Sequence, residues 1–152
     1  MVVGRVSQDV RQHAEKRLYD NPYSQHLSLS WGGLAERQQI PQIDRSAHLL
    51  YSADINAACP NSVIEALACG LPVAAFDTGA IPELVKDQSG CVVAYGADPW
   101  RLEKPDVPGL AAAALHVLQN QDLYRSNARQ RAEKAFGLDL MVDRYLEILL
   151  NW

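Results

Sequence analysis

Residues 53–85 read ADINAACPNSVIEALACGLPVAAFDTGAIPELV, and the order of signals inside them decides the fold. Asp54 to Ala58 is a short extended piece, and Pro60 sits ahead of a helix running to Gly70. Pro72 to Phe76 is a strand, Gly79 marks a tight turn, and Pro82 opens a short helix ending near Lys86. Beyond it, Asp87 to Gly90 turns into the strand Cys91 to Ala94. Strands alternating with helices require crossover connections and a parallel sheet. In such sheets ligands sit at the carboxyl ends of the strands, where helix N-termini attract phosphate. The stretch therefore predicts a place for a phosphorylated small molecule.

Working outward, Met1 to Val6 is an apolar run suited to a strand, followed by Ser7 as a helix N-cap. Val10, Ala14 and Leu18 then mark one stripe of a helix over Gln8 to Leu18, which Asn21-Pro22 ends. Leu27 and Leu29 alternate with Ser28 and Ser30, the pattern of a half-buried strand ending at Gly32-Gly33. Pro41 opens a further helix with Ile43, Ala47 and Leu50 at helical spacing. Val2, Val3, Leu27, Leu29, Ile55, Val73, Ala75, Val92 and Val93 are the expected strand residues. After Tyr95 the pattern changes to a loop and then to helices over Val107–Gln119, Asp122–Phe136 and Leu138–Leu150. Leu110, Ala114 and Leu118 mark the first of these, and Tyr145, Leu149 and Trp152 the last. Arg125, Arg129, Arg131 and Lys134, beside Asp122 and Glu133, read as a solvated helix face.

Composition narrows the function classes. A 152-residue chain with 48% hydrophobic and 21% charged residues is an ordinary single-domain globular protein. Its formal net charge of -4 argues against nucleic acid as a partner. No run of apolar residues is long enough to span a bilayer, and MVVGRVSQDV lacks the features of a secretory leader. Cys59, Cys69 and Cys91 form no CxxC pair, which fits reduced thiols in the cytoplasm. A metal site from Cys59, Cys69 and His48 has no ligand spacing to support it, so the expected metal set is none.

Pro60-Asn61-Ser62 and Glu65 are the candidates for chemistry. Proline fixes the turn, and the amides that follow point free from a helix N-terminus carrying partial positive charge. They can hold an anion or a sugar hydroxyl, although Asn61 or Ser62 acting as a plain helix cap would read the same way. Glu65 begins the run EALACG, and a carboxylate in such surroundings must be satisfied or exposed. It can accept two hydrogen bonds from a diol such as ribose, or stand as a surface glutamate. Asp77-Thr78-Gly79-Ala80 is a second turn at the same sheet edge, where Gly79 allows positive φ or close backbone approach to a ligand. Glu83 reads mainly as a complement to a helix dipole. The nucleophile elbow, the Walker loop and the dinucleotide glycine fingerprint are all absent.

PNSVIEALACG paired with DTGAIPELV closely resembles the donor-binding half of retaining GT-B glycosyltransferases of family 4. The resemblance is strong from Ala47 to about Tyr95 and loose elsewhere. It implies a Rossmann-like parallel sheet with helices on both faces, followed by C-terminal helices, in which residues 1–152 form part of a nucleotide-sugar-binding domain. The acceptor domain that such enzymes carry at the N-terminus would be missing, and the isolated chain is expected to show no transferase activity. By resemblance Glu65 is the second glutamate of the family's E-x7-E motif and binds the ribose, while Ala57 stands where the first would be. Asn61, Ser62 and Val63 match the segment facing the donor sugar and diphosphate, and Thr78 and Gly79 complete the donor set. The resemblance implies a nucleoside diphosphate sugar as substrate, no cofactor, and transfer to an acceptor that is a sugar, a lipid-linked sugar or a small molecule. Peripheral membrane association would run through the missing N-terminal domain. It names no catalytic residue. The alternatives are a nucleotide-sugar epimerase of the same architecture and a non-catalytic nucleotide-sugar-binding module.

Overall fold

The computed structural model describes residues 1–150, so the expected part of Trp152 in the last helix lies outside them. The chain divides into two compact units, Met1–Ile40 and Pro41–Trp152.

In the first unit β1 (Val2–Val3) pairs in parallel with β2 (Trp31–Gly33), and α1 (Gln8–Tyr19) lies between them in sequence. Trp31 is the anchor: its indole N–H donates to Glu15 at 2.7 Å, and the Arg11 guanidinium lies 4.9 Å from its ring. Ser7 takes the N-cap position, but its side chain makes no cap bond. The strand expected at Leu27 and Leu29 does not form. Asn21 accepts the Tyr23 amide at 2.8 Å, and turn bonds from the amides of Ser24, His26 and Leu27 follow. Those bonds commit the segment to a short 3-10 turn, Ser24–His26, and leave Leu27 exposed.

The second unit is built on a parallel sheet in which β4 (Val73–Phe76) is flanked by β3 (Leu50–Ser52) and β5 (Gly90–Val93). Every residue of β4 is buried, as a central parallel strand requires. Its side chains alternate between two cores. Val73 and Ala75 pack with Val63, Leu67, Leu71, Ile81, Ala128 and Ala132, residues of the loop and helices α3 (Asn61–Ala68), α4 (Ile81–Leu84) and α6 (Gln121–Ala135). Ala74 and Phe76 pack on the other face with Tyr95 and with Leu110 of α5 (Val107–Gln119). Helices therefore cover both faces, as expected of an α/β sheet. Each fully buried Leu or Ile there is worth about 1.5–3 kcal/mol.

Two expectations on the way into this sheet fail. The helix α2 (Ile40–Ser46) stops short of Ala47, and Leu50 belongs to β3, paired with Val73. Leu49-Leu50-Tyr51 is a short apolar run that suits helix and strand equally, and only the exposed backbone of β4 decides it. Ile55, expected in a strand, is 36% exposed, and the next residue, Asn56, has φ +57°, which ends any extended run.

The helix ends are better specified. α3 closes in a Schellman motif: Leu71 N–H bonds Ala66 O at 2.8 Å and Gly70 N–H bonds Leu67 O at 3.0 Å, with Gly70 at φ +69°. In α5 the inward residues are Leu110, Ala114 and Val117, while Leu118 is 44% exposed. The helix α7 (Leu138–Leu150) has no buried residue, and Tyr145 and Leu149 face solvent.

The arginines of α6 do more than form a solvated face, although Arg129 is exposed and pairs with Glu133. Arg125 donates to Ala47 O at 2.9 Å, and Arg129 to Ala68 O at the end of α3. Arg131 donates to Leu84 O at 3.1 Å and Glu83 O at 2.8 Å, at the end of α4. Last-turn carbonyls lack intrahelical donors, and guanidinium groups satisfy them while meeting the negative end of the dipole. Side chains facing α3 and α4 are thus drawn from a helix whose other face is polar, and Lys134 alone of the four stays exposed without such a bond. α6 holds the C-terminal ends of both helices whose N-terminal ends lie at the opposite edge of the sheet.

Candidate functional site

The carboxyl edge of the sheet is where β3 and β4 run out. β3 leads into the loop 53–60 and then α3; β4 leads into Asp77–Ala80 and then α4. Pro60 is the N-cap residue of α3, with φ -73° and ψ 106°, and no side chain caps the helix. The alternative in which Asn61 or Ser62 serves as a plain cap is therefore not what forms. Both are exposed, inside the first turn, where helix amides have no intrahelical acceptor. Val63 is different: its side chain is fully buried and its amide bonds Pro60 O at 3.0 Å. Of the three, Asn61 and Ser62 are exposed at the helix start and Val63 is built into the turn beneath them.

Glu65 is exposed on the same helix, one turn further in. It has a neighbour that the residue pattern did not signal. Burial, and then the charge on Glu65, hold the Asp44 carboxyl above its ordinary value. The Cys69 thiol, one turn beyond Glu65, is pushed up by burial and then by Asp44. An acid in the unremarkable sequence IPQIDRS carries no signal of its own; only the packing of the second unit brings it beside Glu65. Two carboxylates that repel are a cost, and such costs gather at sites that bind or react.

The sign of that cost can be measured. An acid whose pKa is raised in the folded protein stabilises the fold below its unfolded value and loses that contribution as pH rises through the folded value. At neutral pH the ionised Asp44 is therefore a liability. Asp44→Asn is expected to raise the thermal midpoint at pH 7, with the gain fading as pH falls towards the ordinary carboxylate value of 3.8. A midpoint that drops at pH 7 would show instead that Asp44 has a stabilising partner.

Thr78 and Gly79 were expected to face a ligand, and the structure uses both on the chain itself. The Thr78 hydroxyl is buried and accepts the Asn56 amide at 3.3 Å. Gly79 has φ +56°, and a side chain built on it would run into Ala57, with the Ala57 nitrogen only 2.7 Å from the added carbon. The Ala80 amide bonds Ala57 O at 2.9 Å. The close approach for which glycine is needed is thus made by the Asn56-Ala57 backbone. Ala80 is the N-cap residue of α4, a four-residue turn whose first amide, that of Ile81, bonds Thr78 O at 3.3 Å, so among the described residues α3 alone offers an open helix start at this edge. Glu83, in the first turn of α4, is exposed, in keeping with a dipole role.

Two further groups tie the edge together. Asp77 accepts the Tyr95 amide at 2.9 Å, and Asn56 donates through its side-chain amide to Pro99 O at 3.4 Å. The loop that follows β5 is thereby held against the loop that follows β3. Among the described residues no helix is long and apolar enough to cross a membrane.

A parallel α/β sheet with helices on both faces and an open helix start at its carboxyl edge is a Rossmann-like arrangement. The chain belongs to the glycosyl transferases group 1 family, whose model matches residues 1–120. It is 29% identical over 86 residues to N-acetyl-alpha-D-glucosaminyl L-malate synthase of Bacillus anthracis, which covers 55% of this chain and 20% of that protein. Its fold is similar to that of HepE from Anabaena, solved in complex with UDP-glucose, with a TM-score of 0.66 at 21% identity. That match covers 99% of this chain and 40% of the other. A pneumococcal O-GlcNAc transferase, GtfA, solved with UDP and GlcNAc, matches with a TM-score of 0.68 at 17% identity, over 92% of this chain and 27% of its own. The chain thus spans less than half the length of these relatives. The likenesses establish a GT-B type Rossmann-like fold.

Proposed function

We propose that this chain binds a nucleoside diphosphate sugar and supplies the donor side of a retaining glycosyl transfer. The observation that carries the reading is the uncapped start of α3, with Asn61 and Ser62 exposed in its first turn and the carboxylate of Glu65 one turn away. An uncapped helix start suits a diphosphate or a sugar hydroxyl, and a carboxylate suits a ribose diol. The family membership and the UDP and UDP-glucose complexes of the similar structures support the same ligand class.

In this reading Asn61 and Ser62 hold the phosphate end through their backbone, and Glu65 accepts from the ribose. Thr78 and Gly79 act one step back, by fixing the loop 53–60 that leads into α3. As the bond between sugar and diphosphate breaks, negative charge grows on the leaving phosphate. Oriented amides that need no rearrangement stabilise that charge. No metal or cofactor enters the proposal, and the acceptor is a sugar, a lipid-linked sugar or a small molecule.

Calorimetric titration of the chain with UDP-, GDP- and ADP-glucose tests it. Saturable binding of one of them, competed by the free nucleotide, is expected. Binding of none, by a chain whose circular dichroism shows the α/β fold, would overturn the reading.

A further inference from the structure

The loop between β5 and α5 shows Trp100 79% exposed and Leu102 72% exposed, two large apolar side chains two residues apart. Exposure of this kind is ordinary on a mobile loop, but this loop is fastened throughout. Tyr95 packs edge-on against Phe76 with ring centres 5.2 Å apart, and its hydroxyl donates to Glu103 O at 2.6 Å. The Asp98 carboxylate accepts the amides of Trp100 at 2.9 Å and Arg101 at 3.3 Å. The Glu103 carboxylate accepts the Asp98 amide at 3.1 Å, and Asp106 N–H bonds Tyr95 O at 2.8 Å. Leu102 is held at φ +54°, a left-handed conformation that costs a residue with a branched side chain about 1–2 kcal/mol. Strain of that kind persists where the surroundings over-determine it.

The surroundings of the indole select the kind of ligand. Arg101 and Lys104, close to it in sequence, are exposed polar residues, while the Asp98 and Glu103 carboxylates are engaged within the loop, so the exposed apolar face of the indole has polar neighbours along the chain. A lipid surface would ask for a cationic excess, whereas Asp98, Glu103 and Asp106 outnumber Arg101 and Lys104 here. A pyranose ring has the matching shape: an apolar C–H face bounded by hydroxyls. The tip also stands at the carboxyl edge, because Pro99, next to Trp100, takes the Asn56 side-chain amide of the loop that leads to α3.

We propose that Trp100, with Leu102 beside it, is a stacking platform for a pyranose ring of the saccharide handled at this edge. The proposal rests on the donor-site reading for its location, and its test separates the two. The platform binds through the sugar alone, so it acts on glycosides that carry no nucleotide.

The chain holds three tryptophans, Trp31, Trp100 and Trp152, so the indole N–H resonances in a two-dimensional NMR spectrum are few enough to assign by substitution. Titration with methyl glucopyranoside, methyl N-acetylglucosaminide and maltose is expected to shift the Trp100 resonance saturably and to leave that of Trp31 in place. Trp100→Ala should weaken the best of these glycosides by about tenfold, and Trp100→Phe should retain most of the binding; tenfold corresponds to ~1.4 kcal/mol. UDP affinity should be the same in both variants and in the parent. Loss of UDP binding with glycoside binding intact would strike the donor reading and leave the platform standing. A Trp100 resonance unmoved by all three glycosides overturns the platform. So does one that responds only to phosphatidylglycerol vesicles or to protein concentration, which would assign the tip to a lipid surface or to a second copy of the chain.

Discussion

Replacing Glu65 by alanine will weaken nucleotide binding by about 10- to 150-fold, the loss of a hydrogen bond to a charged group worth roughly 1.5–3 kcal/mol. The helix itself is expected to survive, because Glu65 is exposed and alanine is the best helix former. Its apolar face, Val63, Ala66 and Leu67, is untouched. Removing Glu65 also relieves Asp44 of a repelling charge, so the variant should be no less stable than the parent at neutral pH. A drop in affinity without a drop in stability would separate a ligand contact from a structural role. Glu83→Ala is the matched comparison: that carboxylate too is exposed near a helix start, yet the first amide of its helix is already taken by Thr78 O and that of its N-cap residue by Ala57 O. It should lose much less. Titration of both variants and the parent with UDP, GDP and ADP sugars measures the difference, and equal affinity of Glu65→Ala and the parent would dismiss the ribose contact.

The two helices compared in that experiment also show how far the residue pattern reaches. α3 is legible because each signal is local. Pro60 opens it, Gly70 closes it, and an apolar stripe lies between, so the segment means the same thing in any surroundings. The strands β4 and β5 and the helices α5, α6 and α7 are legible for the same reason, to within a residue or two. Leu50 and the 54–58 segment are not, because a three-residue strand has no periodicity to read and is settled by the partner it meets. The arginines of α6 were unreadable in another way. Their spacing fits a solvated face, and their role depends on where α3 and α4 end in space. At the carboxyl edge, the exposed positions of Asn61, Ser62 and Glu65 were legible from the helix they begin. Gly79 takes the positive φ that its place in the turn allowed, and the neighbours that the structure gives it and Thr78 are Ala57 and Asn56 of the chain itself. A glycine at positive φ beside a sheet edge announces a close approach, and the residues alone do not say whether a ligand or the chain itself makes it.

That ambiguity is open to experiment at Gly79. Gly79→Ala is expected to destabilise the second unit by about 2–5 kcal/mol, summing a left-handed φ and an overpacked contact. The first part is the ordinary penalty of a side chain at φ +56°. The second arises because the added carbon overlaps the Ala57 backbone, and backbone cannot swing aside as a flexible side chain can. Gly70→Ala isolates the first part. Gly70 has φ +69°, but the nearest atom to an added carbon there is Arg125 O at 3.4 Å, an ordinary contact. It should cost about 1–2 kcal/mol. Urea unfolding of both variants against the parent gives the two numbers. The Gly79 variant has a second consequence that the Gly70 variant lacks. To admit the methyl group the chain must open the Ala80 to Ala57 hydrogen bond and shift Asn56, whose amide rests on Thr78. The loop 53–60 is the lead-in to the α3 start, so nucleotide affinity should fall along with stability. In Gly70→Ala affinity should stay near that of the parent. If Gly79→Ala is no more costly than Gly70→Ala, the loop yields easily and does not hold the start of α3 in place. If it is costly but binds nucleotide as well as the parent, the ligand does not use the end of the helix that this loop positions.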